Sequence, residues 1–270
     1  MELRSAALQA LCISDPAAKC AAVHRLWGEH EQVSLDPTAV LAEPPGVPGR
    51  PALPRLVAPG TVPQRSPFTP AGRAALLHAI AHIEFNAINL ALDAVWRFAG
   101  LPAAFYLDWL RVADEEATHH ALVAGHLGTL GQAYGDFDAH DGLWAMAVKT
   151  RGDFLARMAL VPRTLEARGL DVTPGIQAKL RKAGDLQAVA ILDVILRDEV
   201  GHVAIGNHWY RWACERDGLE PLATYPQLAT RYAAPRLKPP FNDEARRRAG
   251  FTAEEMAWLN GPNSGLESPA

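Results

Sequence analysis

The sequence predicts an all-α fold, and three observations predict it. Between about residues 71 and 214 the composition turns to Ala, Leu, Val and Ile, with charges returning at helical intervals. Within that span four long segments, at about 71–98, 102–132, 141–168 and 184–214, carry apolar stripes of helical period. The breaks between them hold turn-forming residues: Gly100 and Pro102 first, then Gly131, Gly135 and the DFDAHDG stretch. GLDVTPG at 169–175 is expected to end the third helix, with a short helix before Gly184. Connections this short favour antiparallel neighbours, except where 133–141 crosses over, so the expected architecture is a four-helix bundle.

Two flanking regions complete the plan. Residues 1–33 read as a short amphipathic helix or helix pair, with Leu8, Leu11, Val23, Leu26 and Trp27 as its buried side chains. From Pro37 to Pro70 there are ten prolines, too many for a helix interior or a central strand, so this segment is expected to run extended and wrap the outside of the core. After Cys214 come prolines at 221, 226, 235, 239 and 240 and a last short helix near 252–259, expected to pack on the surface. The expected domains are therefore 1–70, a helical and Pro-rich N-terminal extension; 71–214, the bundle; and 215–270, a C-terminal extension.

The bulk composition narrows the function classes. With 270 residues, 49% of them apolar, the chain can bury a full core. A formal charge of -4 and a pI near 6.2 give no general attraction to nucleic acid or anionic lipid, so neither is expected as a partner. The N-terminus lacks the pattern of a secretory signal, and every long apolar run is broken by charge, so a cytoplasmic protein is expected. Cys12, Cys20 and Cys214 have no metal-ligand spacing and read as reduced bystanders.

The chemistry lies in an echo between the two halves of the bundle. Glu84 is followed 32 residues later by Glu116-Ala-Thr-His119, and Glu166 is followed 33 residues later by Glu199-Val-Gly-His202. Residues three apart project from one helix face, so Glu-x-x-His can offer a carboxylate and an imidazole to one metal ion, and a lone Glu from a neighbouring helix completes each half. Chance alone gives about 0.6 Glu-x-x-His matches in a chain of this composition, so placement matters more than the motif. Glu84 falls on the stripe of Leu77, Ile80, Ala87, Ile88, Ala91 and Val95; Glu116 and His119 fall on that of Trp109, Val112, Val123 and Leu127. Glu199 and His202 lie between Leu192, Ile195, Gly206 and Trp209, and Glu166 lies on the line Val148, Leu155, Ala159, Pro162, near the helix end.

Four ionised carboxylates aimed at a core repel one another or protonate unless cations accompany them. Two divalent ions balance four Glu, and mixed oxygen and nitrogen ligands without thiolate suit Fe or Mn, so the expected cofactors are two iron ions or a mixed Mn/Fe pair. Each motif is preceded by an acid, Glu115 or Asp198, expected to accept the second N–H of the histidine on the opposite helix. The blander reading is a charged helix face or a buried ion pair, for Glu166 a salt bridge to Arg163 or Arg168. His82, His120, His126 and His208 read as surface or core histidines, Trp96, Phe98, Trp109, Trp144, Trp209 and Tyr210 as core, and Arg246, Arg247 and Arg248 as a solvated basic face.

The stretches AHIEFNAINLALDAVWRF (81–98), DWLRVADEEATHH (108–120), ALVPRTLEARGLDVTPG (159–175) and ILRDEVGHVAIGNHWYRW (195–212) make the chain resemble the ferritin-like di-iron carboxylate superfamily, and most nearly a family of uncharacterised bacterial proteins catalogued as a domain of unknown function. Its motif layout is similar to that of a bacterial hydroxylase of a modified tRNA adenosine and of other O2-activating di-iron enzymes. The resemblance implies a ferritin-like bundle and redox chemistry at the metals; no substrate follows from it, and O2 and a small or modified-nucleoside substrate are the partners considered. Asn89 departs from it, since relatives are expected to carry an acid there. The leading expectation is an O2-activating oxidoreductase, monomeric or homodimeric, that hydroxylates or oxidises an organic substrate. Iron handling by ferroxidase chemistry and a non-catalytic module stabilised by its metals are the alternatives.

Overall fold

A computed structural model describes residues 2–63 and 65–261 and is all-α, with no strand among the described residues. The chain divides into two compact units, Met1–Trp144 with Ala178–Ile191, and Ala145–Gln177 with Leu192–Ala270.

The first unit is built on two long helices. α1 (Leu3–Leu11) and α2 (Pro16–Gly28) form the expected N-terminal pair, and α3 (Pro70–Arg97) and α4 (Ala103–Thr129) follow. Thr69 caps α3 through Gly72 N–H at 3.1 Å with Pro70 in the first turn, where its missing N–H costs nothing. α3 and α4 pack along each other, with α1 against α3 and α2 against α4. By length and composition α3 could cross a membrane, yet most of it is buried within the fold.

Two buried cations fasten this pair to the rest of the unit. Arg4, 1% exposed, donates to the carbonyls of Asp36, Pro37, Ala39 and Trp96. Lys19, fully buried, donates to Leu11 O at 3.1 Å, to Gly49 O at 3.0 Å and to Asn89 Oδ1. Asn89 thus has its own task where an acid was expected. Gly49 is dictated by contact, because a Cβ there would lie 2.2 Å from the Cys12 carbonyl oxygen. The described residues of the Pro-rich segment form neither α-helix nor strand before Pro70, and extended stretches alternate with turns at 37–38, 45–46 and 67–68 and a 3-10 turn at Pro59–Thr61. It is pinned to the 133–141 loop by Arg50 on Asp141 (2.9 and 2.6 Å), by Arg55 on Asp138 (3.1 and 2.6 Å), and by a backbone bridge between Leu56 and Ala139.

In the other half the helical plan changes. The expected third helix is interrupted: α5 (Gly142–Lys149) stops, Asp153 caps α6 (Phe154–Leu160) through Ala156 N–H at 2.9 Å, and a π-helical turn, Val161–Glu166, leads into α7 (Ala167–Lys182). Val148, read as a stripe residue, is 47% exposed, because the break after α5 ends the register on which that stripe was drawn. GLDVTPG does not end the helix either. Pro174 cannot donate to the Leu170 carbonyl four residues back, but Asn242 Nδ2 supplies that donor at 3.1 Å and the helix continues. α8 (Leu186–Arg216) follows, with α9 (Pro221–Arg231), α10 (Asp243–Arg248) and α11 (Ala253–Asn260) in the tail.

The tail supplies core, where a surface position was expected. Ala249, Phe251, Met256 and Leu259 are buried in one cluster with Ala167, Leu170 and Val203. Arg246 is also buried, against the reading of 246–248 as a solvated face: its Nε and Nη2 bind Asp171 at 2.9 and 2.8 Å, both side chains fully enclosed, while Arg247 and Arg248 stay exposed. The six aromatic residues assigned to the core are all buried, as are Cys20 and Cys214, whereas Cys12 is exposed.

Removing one member of a buried ion pair leaves the other uncompensated, so Arg246→Ala should cost about 3 kcal/mol or more in chemical denaturation, and exposed Arg247→Ala less than about 0.5 kcal/mol. Burial, reinforced by the Arg50 charge, pulls the Lys19 ammonium down to about 7 from 10.5. Between those values the unfolded chain binds a proton that the native chain releases, so this group makes stability rise with pH across that window. Lys19→Met should flatten that rise in denaturation profiles recorded from pH 6 to about 10.5; an unchanged slope would remove Lys19 as its source.

Candidate metal centre

The first unit gathers one half of the predicted ligand set. Glu84 projects from the middle of α3 and Glu116 and His119 from α4, at 4%, 1% and 0% exposure. His119 Nδ1 lies 3.3 Å from Glu116 Oε2 and 3.4 Å from Glu84 Oε2. One ligand atom from each of the three lies within 4.8 Å of the others, a spacing that a single ion could bridge. Burial opposes a charged imidazole here, yet the Glu116 and Glu84 carboxylates overcome it and hold His119 up at about 11.

The neighbouring histidines hold the surroundings in place. His120 Nδ1 faces the Ala81 carbonyl at 2.9 Å, and His82 meets the Tyr134 hydroxyl at 2.9 Å and the His140 carbonyl at 3.0 Å. His126 pairs with Asp185 at 2.8 Å, and His208 is exposed. Tyr134, which no motif marked, packs its ring against His78, His82, Phe85 and His120.

The second unit carries the other three residues. Glu199 and His202 occupy one face of α8, Oε1 and Nδ1 3.7 Å apart, with His202 fully buried and Glu199 12% exposed. Glu166 ends the π-helical turn and is part-buried. The turn has a local cause. Pro162 offers no N–H to the carbonyl four residues back, and the widened register appears in Thr164 Oγ1 bonding the Ala159 carbonyl and Ala167 N–H reaching Pro162 O, each across five residues. One extra residue in the turn changes the face that Glu166 presents, which a uniform helical period cannot anticipate.

Long-range contacts hold the turn. Neither arginine considered for Glu166 is committed to it: Arg163 pairs with Glu255 at 2.7 Å, and Arg168 with Asp171 at 3.4 Å. Arg163 also donates to Asn207 Oδ1 and sits over the rings of Tyr210, Tyr225 and Phe251. Burial works against the Glu255 carboxylate, but Arg163 and Arg211 keep it below the ordinary range. Arg163 and Glu255 lie 92 residues apart and share no motif, so sequence spacing gave no sign of the pair. Of the two acids preceding the motifs, Asp198 binds its neighbour Arg197 at 2.8 and 3.0 Å.

Gly206 completes the support. A Cβ on it would lie 2.5 Å from Pro162 Cβ, so α8 can meet the turn only with glycine there. Gly206→Ala should lower stability by about 1–3 kcal/mol through overpacking, whereas Gly201→Ala, which faces open space one residue before His202, should be neutral or stabilising by up to about 1 kcal/mol. Thermal unfolding of the two variants checks this, and equal melting temperatures would show that the contact does not constrain the turn.

A family model described as "Protein of unknown function (DUF455)" matches residues 12–257. An "Uncharacterized protein" of Haemophilus influenzae is 49% identical over 261 residues, covering 93% of this chain and 91% of its own length. No solved structure gives a significant match.

Proposed function

The chain belongs to the DUF455 family, whose description assigns no activity, and from its own residues we propose that it is a di-metal protein of the ferritin-like di-iron carboxylate kind, acting as an O2-dependent oxidoreductase on an organic substrate. The observation that carries the reading is the enclosure of Glu84, Glu116 and His119 with their ligand atoms within 4.8 Å. Two buried carboxylates beside one imidazole suit a bound cation, and an oxygen-rich donor set without thiolate favours Fe or Mn. Glu166, Glu199 and His202 repeat the same ligand types, so each half supplies two carboxylates and one imidazole, and two divalent ions balance the four negative charges. Bound iron would supply the redox chemistry with O2.

The protein's part in this reading is positioning and charge. The long helices α3, α4 and α8 fix the ligand carboxylates on rigid backbone, and their enclosure keeps bulk water away. Glu115 and Asp198 would orient the ligand histidines by accepting their outer N–H groups. Ferroxidase chemistry and a metal-stabilised module without catalysis are the readings that the tests below separate from oxidation of a substrate.

Protein produced with iron and manganese supplied should contain about two such ions per chain by elemental analysis, reduced to less than about half an ion in Glu116→Ala/Glu199→Ala. Equal metal in that variant, or metal-free protein of unchanged melting temperature, would overturn the centre. Given a loaded centre, the reduced protein should consume O2, and a metabolite-extract screen should find a substrate that accelerates consumption; O2 uptake that responds only to added ferrous iron would favour iron handling.

A further inference from the structure

We propose that the first unit holds a second ligand site, separate from the metal centre, for a small planar aromatic acid bearing a ring hydroxyl or ring N–H. The site is a cavity of about 270 Å³ between the Pro-rich segment and α3, lined by Arg50, Pro51, Pro54, Phe85, Asn86 and Tyr134 among others. Its place on α3 sets it apart from the ligands. At about 100° per residue, Asn86 projects roughly 200° from Glu84, toward the opposite side of the helix. The proposal therefore stands whether or not the metal reading does.

Three features give the ligand its chemistry. Phe85 and Tyr134 supply aromatic surface, their ring centroids 5.6 Å apart and tilted by 48°, and Pro51 and Pro54 add apolar wall to the same space, which suits a planar ring. Asn86, 2% exposed, lines this space, and its Nδ2 lies 2.9 Å from the His82 carbonyl, which can only accept, and 3.0 Å from His82 Nε2, which places the amide oxygen at the other end. Among the described residues that Oδ1 has no hydrogen-bond partner, and it is almost wholly enclosed, so a donor must slip between the cavity-lining side chains to reach it; a buried acceptor left this way is costly unless something donates to it. A ligand O–H or N–H is the donor it lacks.

The third feature is Arg50. Its guanidinium is held in place by bonds from Nη1 and Nη2 to the two Asp141 oxygens, which engage two of its five N–H groups and leave the Nε side of the plane to receive a second carboxylate. The cavity volume lies near the lower end for small-molecule sites, enough for one ring or a fused pair with a short acidic arm. The cavity is also preformed, since Arg50 and Arg55 pin its proline wall to the 133–141 loop through Asp141 and Asp138.

Calorimetry and ligand-detected NMR on metal-free and metal-loaded full-length protein, with 4-hydroxybenzoate and benzoate as probes, test the site. 4-Hydroxybenzoate should bind one per chain with a Kd below about 1 mM, in both metal states, and benzoate about tenfold more weakly because it cannot donate to Asn86. Asn86→Leu should abolish that difference, and Ala52→Trp, which fills the cavity from the exposed proline wall, should abolish binding of both probes while leaving the melting temperature within a few degrees. Absence of saturable binding, equal affinity for the two probes, or binding undisturbed in both variants would overturn the proposal. If Ala52→Trp fails to fold, the two-probe comparison in Asn86→Leu decides alone.

Discussion

Everything in the first unit is subordinate to the removal of Glu84 and Glu116 from water. An isolated carboxylate costs several kcal/mol to bury, and two within reach of one imidazole cannot both stay charged without a positive partner. The fold accepts this cost in the middle of its two longest helices in that unit, where surrounding side chains are most rigid. Arg4 and Lys19 then lock the N-terminal helices down with bonds to main-chain oxygens and Asn89. A core selected only for stability would place apolar residues at those positions, and the buried Glu and His group is one that could hold an ion.

The second unit meets a different requirement, the support of a turn that departs from the α-helical register. Pro162 removes a donor, Gly206 gives the ring room, and Arg163 fastens the turn to a residue near the end of the described chain. The consequence is that Glu166 depends on elements far away in sequence. The C-terminal helices are core partners, with Phe251, Met256 and Leu259 enclosed beside Ala167 and Leu170.

The parts of this fold governed by local pattern were legible in the sequence. α3 and α4 lie within a few residues of their predicted spans because a capping Thr69, Pro70, Gly100 and Pro102 punctuate them, and the burial of Glu84, Glu116, His119 and His202 follows from the stripes on which they lie. What the pattern could not supply was set by distant partners. Pro174 and Gly175 read as a terminator, and would act as one without Asn242 68 residues later. Arg246 reads as solvated until Asp171 is found beneath it, and Val148 reads as buried until the helix is seen to break after it. Tyr134 and Asn86 drew no attention because neither belongs to a spacing that metal chemistry recognises; a buried amide among histidines was their only signal.

The bond from Asn242 to the Leu170 carbonyl bears on how this family can vary. A proline inside a helix is tolerated only while another side chain does the work of the missing amide, so Pro174 and Asn242 form a linked pair of alleles. Losing the asparagine first would leave the Leu170 carbonyl without its donor, whereas losing the proline first would let the helix make its own bond there. The order of change therefore matters at this pair, and a tail that looks dispensable by composition completes a helix far upstream of it.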